Sequence, residues 1–136
     1  MYESIPTPQL QFQMPQLARE SGEFERVGKQ FGIDSSVLLF QAQLGTLVEL
    51  DEDTWNQLEN TDSYDLSPGD WEAVDQLATM AARDWRSIRN TTILDAPIIM
   101  RYRDRYHLVA GNTRLLVARA LGNIPRVLLF SVDAGE

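Results

Sequence analysis

Residues 106–122, Tyr-His-Leu-Val-Ala-Gly-Asn-Thr-Arg-Leu-Leu-Val-Ala-Arg-Ala-Leu-Gly, restrict the fold of this chain more than any other stretch. Tyr106 to Ala110 is apolar, aromatic and β-branched, the composition of a buried strand. Gly111-Asn112 interrupts it before an apolar run with the length of a helix and no internal breaker. The sequence therefore predicts a strand, a tight turn and a helix. Gly111 lets the backbone turn sharply or approach a ligand, and Asn112 suits the helix N-cap. Thr113 and Arg114 then fall in the first helical turn, where free N–H groups and the positive end of the helix dipole favour an anion such as phosphate.

The neighbouring segments supply the rest of a sheet. Ile98 to Tyr102 and Tyr106 to Ala110 read as two strands joined at Arg103-Asp104-Arg105, and Arg126 to Phe130 as a last apolar strand after the helix stop at Gly122-Asn123. Arg101, Arg103 and Arg105 alternate, which aims them to one side if the strand runs straight through. Arg119 follows Arg114 by five residues, about 140° around a helix, so the two point different ways and Arg119 is expected to snorkel or to meet a carboxylate.

Upstream, residues 1–16 carry prolines at 6, 8 and 15 and four glutamines with little periodicity, which predicts an extended arm, ordered only if it docks. Phe24, Val27 and Phe31 fall at helical spacing before Gly32, and Asp34 or Ser35 caps a second helix over about 37–44 that Gly45 ends. Two helices about a glycine turn are the layout of a helix-turn-helix. The second one has no basic residue and too many large apolar ones to read bases, so a hairpin packed on the core or on a partner is expected. Leu47 to Leu50 is a short strand, and Asp51-Glu52-Asp53-Thr54 opens a brief helix holding Trp55 and Leu58. Ser67-Pro68-Gly69-Asp70 starts the longest helix, over about 68–89, whose Trp71, Val74, Ala78, Ala81, Trp85 and Ile88 form one buried stripe. Arg83, Arg86 and Arg89 near its end complement the dipole or line a path for phosphates. These elements define an α+β protein: a small mixed sheet with packed helices, preceded by a helical N-terminal segment. The expected divisions are an arm over 1–16, a helical hairpin over 17–46 and an α+β core over 47–136.

Charge and composition narrow the function. The net charge is −8, yet residues 1–70 hold three basic and thirteen acidic side chains, whereas residues 71–136 hold nine basic, all arginine, and seven acidic. Nucleic-acid phosphates are attracted by basic surface, so only the second half can attract them. With no cysteine, disulfides and thiolate metal sites are excluded. Asp51, Asp53, Asp62 and Asp65 are oxygen ligands, but the glycine and closing glutamate of a calcium loop are missing and helix capping explains the first two, so no metal site is expected. His107, the single histidine, is expected to be a half-buried structural residue. No apolar run approaches the roughly eighteen residues of a membrane span, and the N-terminus lacks a signal-like segment. A soluble cytoplasmic protein without membrane attachment is expected.

Val-Ala-Gly-Asn-Thr-Arg over 109–114, followed by Ala118, Ala120, Gly122, Ile124-Pro125 and a strand, resembles the Gly-x-x-Arg signature of the ParB/sulfiredoxin-like superfamily, phage or bacterial type. The resemblance covers roughly residues 93–130, with Asp95-Ala96-Pro97-Ile98-Ile99 standing where those domains have a Pro-Ile strand before the hairpin. It implies a ParB-like core in which Gly111, Asn112, Thr113 and Arg114 hold a phosphate of a nucleotide or of DNA. Arg101 on the preceding strand is counted with them. CTP or ATP with magnesium are the ligands so implied, and nucleotide hydrolase or nuclease the activities. The chain departs from the family in lacking the cysteine of sulfiredoxins. With six residues after Phe130, the sequence is not expected to be a complete partition protein, which continues into a second nucleotide motif and a DNA-reading module. Asp95, Asp104 and His107 are the nearby titratable groups, and their spacing fixes no catalytic role. The competing expectation is a non-catalytic acidic module that keeps the fold, binds a protein partner or a second copy of itself, or imitates the charge of DNA.

Overall fold

The computed structural model describes residues 11–59, 69, 72 and 93–132. Nearly all of the stretch expected as the long helix over 68–89, including Arg83, Arg86 and Arg89, lies outside the described residues, as do Asp62 and Asp65. Short β1 (Gln11–Gln13) leads through a 3-10 turn at Leu17–Glu20 into α1 (Ser21–Phe31) and α2 (Ser35–Gln43). β2 (Thr46–Glu49), α3 (Glu52–Gln57) and β3 (Leu58–Glu59) follow. The remaining elements are β4 (Ile93–Asp95), β5 (Ile98–Tyr102), β6 (Arg105–Ala110), α4 (Asn112–Leu121) and β7 (Arg126–Val132).

The runs 98–100 of β5, 108–110 of β6 and 127–130 of β7 are wholly apolar because both faces of the sheet they form are covered. The five-stranded order is β2-β7-β5-β6-β3, with β5 antiparallel to β6 and parallel to β7, β2 antiparallel to β7, and β3 parallel to β6. The last strand of the chain is therefore interior to the sheet. Side chains alternate between two cores. Ile98, Met100, Val109, Leu128 and Phe130 pack under Phe24 and Val27 of α1 and Leu38 and Ala42 of α2. Ile99, Leu108 and Val127 pack against Trp55 of α3 and Leu115, Leu116, Val117 and Ala118 of α4. Each fully buried side chain of this size stabilises the fold by about 1.5–3 kcal/mol. Helices on both faces thus clamp the strands and hold the β6–α4 corner in place.

The helix ends follow their local chemistry. Gly32 and Gly122 take left-handed conformations at φ 68° and 72° and close α1 and α4. Asp34 and Asp51 accept hydrogen bonds from the amides of Ser36 and Thr54, at 2.9 and 2.7 Å, capping α2 and α3. Those bonds hold both carboxyls below the usual carboxylate range. Close approach brings the two helices of the hairpin together, since a Cβ on Gly28 would lie 2.5 Å from the Ile33 carbonyl oxygen. α2 buries Leu38 and Ala42 but leaves Val37, Phe40 and Leu44 exposed, so its apolar residues divide between core and surface.

Part of the extended arm docks as a strand: β1 pairs in parallel with β4, and Phe12 is buried in the α4 core. The β5–β6 hairpin turns on Arg103 and Asp104 alone, both at positive φ (52° and 62°), the primed geometry that matches strand twist. The alternation of arginines breaks there. Arg101 pairs with Asp104 at 3.0 Å, Arg105 with Glu59 at 3.2 Å, and Arg103 lies over the Tyr102 ring at 5.2 Å.

His107 is buried on β6, with its Nδ1 3.0 Å from Glu59 Oε2 and its ring edge-to-face with that of Phe31 at 4.5 Å between centroids. Burial, helped by the Arg105 charge, holds its pKa below the ordinary 6.5 and outweighs the Glu59 carboxylate. The unfolded chain then binds this proton more tightly than the folded one. The contribution of neutral His107 is complete above 6.5 and is lost as pH falls through 6.5 towards the native value. Urea denaturation should give a lower midpoint at pH about 5.5 than at about 7.5, with a smaller difference in His107→Gln. An unchanged difference in that variant would assign the titration to other groups.

Candidate functional site

The chain turns from β6 into α4 at Gly111, whose φ of 107° and ψ of 23° few residues other than glycine adopt. Its α-carbon faces Pro97, and a Cβ there would lie 2.7 Å from Pro97 Cβ and 3.2 Å from Arg114 Nη2. Gly111, not Asn112, is the N-cap residue, and Asn112 is the first residue of the helix. The expected asparagine cap is therefore displaced by one position, because the glycine accepts the non-helical conformation of the boundary. No side chain caps this end among the described residues. The first intrahelical bond there runs from the Leu115 amide to the Gly111 carbonyl, 3.0 Å. The amides of the turn before it point out of the helix, as at any α-helix start.

The turn opens on a cleft of about 530 Å³. Gly111, Asn112, Thr113 and Arg114 line it from the helix, and Leu108, Val109 and Ala110 from β6. Leu94 and Asp95 line it from β4, and Arg19, Glu20, Glu23 and Arg26 from the N-terminal segment. Four of the five expected site residues are thus brought together. Arg101 is not among them. Ile98 is the β5 residue beside Ala110, and Arg101 lies three residues further towards the hairpin, roughly 10 Å along the strand, where Asp104 holds it.

Arg114 reaches across the cleft instead of facing open solvent. Its Nη1 donates to the backbone carbonyls of Asp95 at 2.6 Å and Ala96 at 3.4 Å, and its Nη2 to Glu20 Oε1 at 3.3 Å. The side chains of Arg114 and Glu20 are 15% and 18% exposed, so the pair is largely shielded from solvent screening. Arg26 donates to Glu23 Oε2 through Nε and Nη2, at 3.0 and 2.8 Å, and to the Val109 carbonyl at 3.0 Å. Asp95 in turn accepts from Gln13 Nε2 at 2.8 Å and, at 3.5 Å, from the Gln16 amide. Three guanidinium groups and three carboxylates therefore share the cleft walls. Arg19, Arg26 and Glu20 were not singled out by their sequence context, and nothing local marks them: they come to the corner from some 90 positions away through packing of α1 on β6.

Arg119 lies elsewhere, at a smaller cleft of about 360 Å³ beside α3. It stacks over the Trp55 ring at 3.8 Å and donates from Nη1 to both Glu52 oxygens at 2.9 and 2.8 Å. That is the carboxylate pairing expected of it. Among the described residues, no group of three or more His, Asp or Glu side chains is placed to hold a metal ion, and no helix is long and apolar enough to cross a membrane.

Comparison of the chain with protein-family models, with curated proteins and with solved structures finds no match in any of the three.

The corner geometry predicts the effect of its glycine. Gly111→Ala combines a positive φ with a clash against Pro97, and should cost at least about 1–3 kcal/mol in urea denaturation. A loss below about 0.5 kcal/mol would mean that the backbone relaxes out of this conformation at little cost.

Proposed function

We propose that the chain is a ParB-like domain that binds a phosphate group, of a nucleotide or of nucleic acid, at the Gly111–Arg114 turn. The observation that carries this reading is the coincidence of the turn with the 530 Å³ cleft, which arginines 19, 26 and 114 also line. A helix start supplies amide donors and a positive dipole end, and guanidinium groups add charge-assisted bonds to the same oxyanion. Fixing Arg114 Nη1 on two backbone carbonyls sets the plane of its fork before any ligand arrives, which lowers the cost of ordering it. Magnesium, if it enters, comes with a nucleotide's own phosphates.

A different observation favours a second reading, a non-catalytic interaction module. Glu20, Glu23 and Asp95 balance the arginines of the cleft, and α2 presents Val37, Phe40 and Leu44, three exposed apolar side chains on a helix without a charged residue. Such a face suits a protein partner or a second copy of the chain.

Calorimetric titration with CTP, ATP and a short DNA duplex, each with and without magnesium, separates the two. The phosphate reading expects heat with at least one ligand at micromolar affinity. It also expects a loss of about ten- to a hundredfold in Arg114→Ala, the worth of one charge-assisted contact. Because Arg114 also holds the Asp95 and Ala96 carbonyls, Arg26→Ala serves as a second variant and its thermal melt as a check on folding. Heat with duplex alone, falling steeply with salt, would assign the site to nucleic-acid phosphates. Silence with every ligand would leave the interaction module.

A further inference from the structure

Resting on the phosphate reading of the corner, we propose that Glu20 is a built-in competitor for it: its carboxylate occupies Arg114 until a phosphate displaces it. Ligand binding and docking of the segment around Glu20 then oppose each other.

The two ends of the Arg114 fork are held differently. Nη1 sits on backbone carbonyls at the end of β4, which β1 pairs along its whole length, so that anchor is part of the framework. Nη2 meets a side chain, Glu20 Oε1, at 3.3 Å. Close charge-assisted bonds between guanidinium and carboxylate run about 2.7–2.9 Å, so this pair is stretched although it is mostly buried. A carboxylate and a phosphate offer a guanidinium the same acceptor chemistry. The phosphate brings more charge and a third acceptor oxygen, and the positive end of the α4 dipole favours it more strongly than a singly charged carboxylate. It therefore replaces Glu20 without moving the arginine.

Glu20 is placed to give way. It ends the 3-10 turn Leu17–Glu20, none of whose residues is fully buried, and its own φ of −107° and ψ of 16° mark the junction with α1. The segment before it is held to Asp95 by the Gln13 side chain at 2.8 Å and by the Gln16 amide at a long 3.5 Å. Displacing the carboxylate removes one further tie between this segment and the corner. By linkage, whatever strengthens the docking of residues 14–20 weakens phosphate binding by the same factor.

The full chain is titrated with inorganic pyrophosphate, with CTP and with a short DNA duplex, as wild type and as Glu20→Gln, which keeps the shape of the side chain and removes its charge. The variant should bind at least about fivefold more tightly, the lower end of ordinary coupling between sites. In the wild type, saturating ligand should raise amide hydrogen exchange over residues 14–20. Binding by the variant where the wild type is silent supports the proposal in its strongest form. If the wild type binds and the variant binds no better, or worse, Glu20 is no competitor while the phosphate site stands. Lack of binding by both proteins, with the variant shown folded by its thermal melt, would remove the phosphate site and this proposal with it.

Discussion

The 2.6 Å hydrogen bond from Arg114 Nη1 to the Asp95 carbonyl joins parts of the chain that local structure alone would leave apart. The backbone leaves β4 after Asp95 and reaches β5 through Ala96-Pro97; the Pro97 carbonyl accepts from the Leu128 amide of β7 at 2.8 Å, whereas the Asp95 carbonyl takes its donor from a side chain. Arg114, in the first turn of the helix that leaves the neighbouring strand, supplies the donor. Its length is what makes this work: a guanidinium carries several donors in one plane and can span two successive carbonyls. The neighbouring glycine then becomes obligatory, because the chain must pass against Pro97 for the arginine to reach over it. Strand end, turn and helix start are one mechanical unit held by a side chain.

The same unit explains the docking of the arm. Asp95 offers its carbonyl to Arg114 and its carboxylate to Gln13, while the Ala96 amide donates to the Gln13 carbonyl at 2.8 Å. β1 therefore pairs with a short strand already braced from the other side. Phe12 adds the apolar contribution by entering the α4 core. A two-stranded parallel pair of three residues would be marginal in isolation, and here it is an extension of a packed framework.

Much of this was legible in the residues and some was not, for a physical reason that separates the two. The apolar runs 98–100, 108–110 and 127–130 identify strands because a two-sided core demands apolar residues at both parities, and Gly111 identifies the turn because few other residues take its φ. Those are local constraints. Arg101, counted with the corner on the family resemblance, sits three residues beyond Ile98 along β5 and pairs with Asp104 of the tight turn, a partner that the hairpin geometry sets and the residue pattern does not reveal. The asparagine cap slipped by one because the preceding glycine could itself stand at the helix boundary. Glu20 and Arg26 were illegible: their roles depend on α1 lying across β6, and a sequence pattern over four residues carries no such information.

The polarity of the cleft follows from that division of labour. Its arginine at the corner is supplied by the strand-turn-helix unit and braced by backbone, whereas the facing carboxylates of Glu20 and Glu23 arrive on the N-terminal segment. A negative guest feels mainly the groups nearest it, because exposed charges a Debye length away are largely screened. At the helix start these groups are oriented amides and one fixed guanidinium, so an overall charge of −8 does not decide the matter. What decides it is whether the N-terminal segment keeps its carboxylate there. On the proposed phosphate reading, Glu20 brings the acidic half of the chain into the site as the occupant that a ligand replaces.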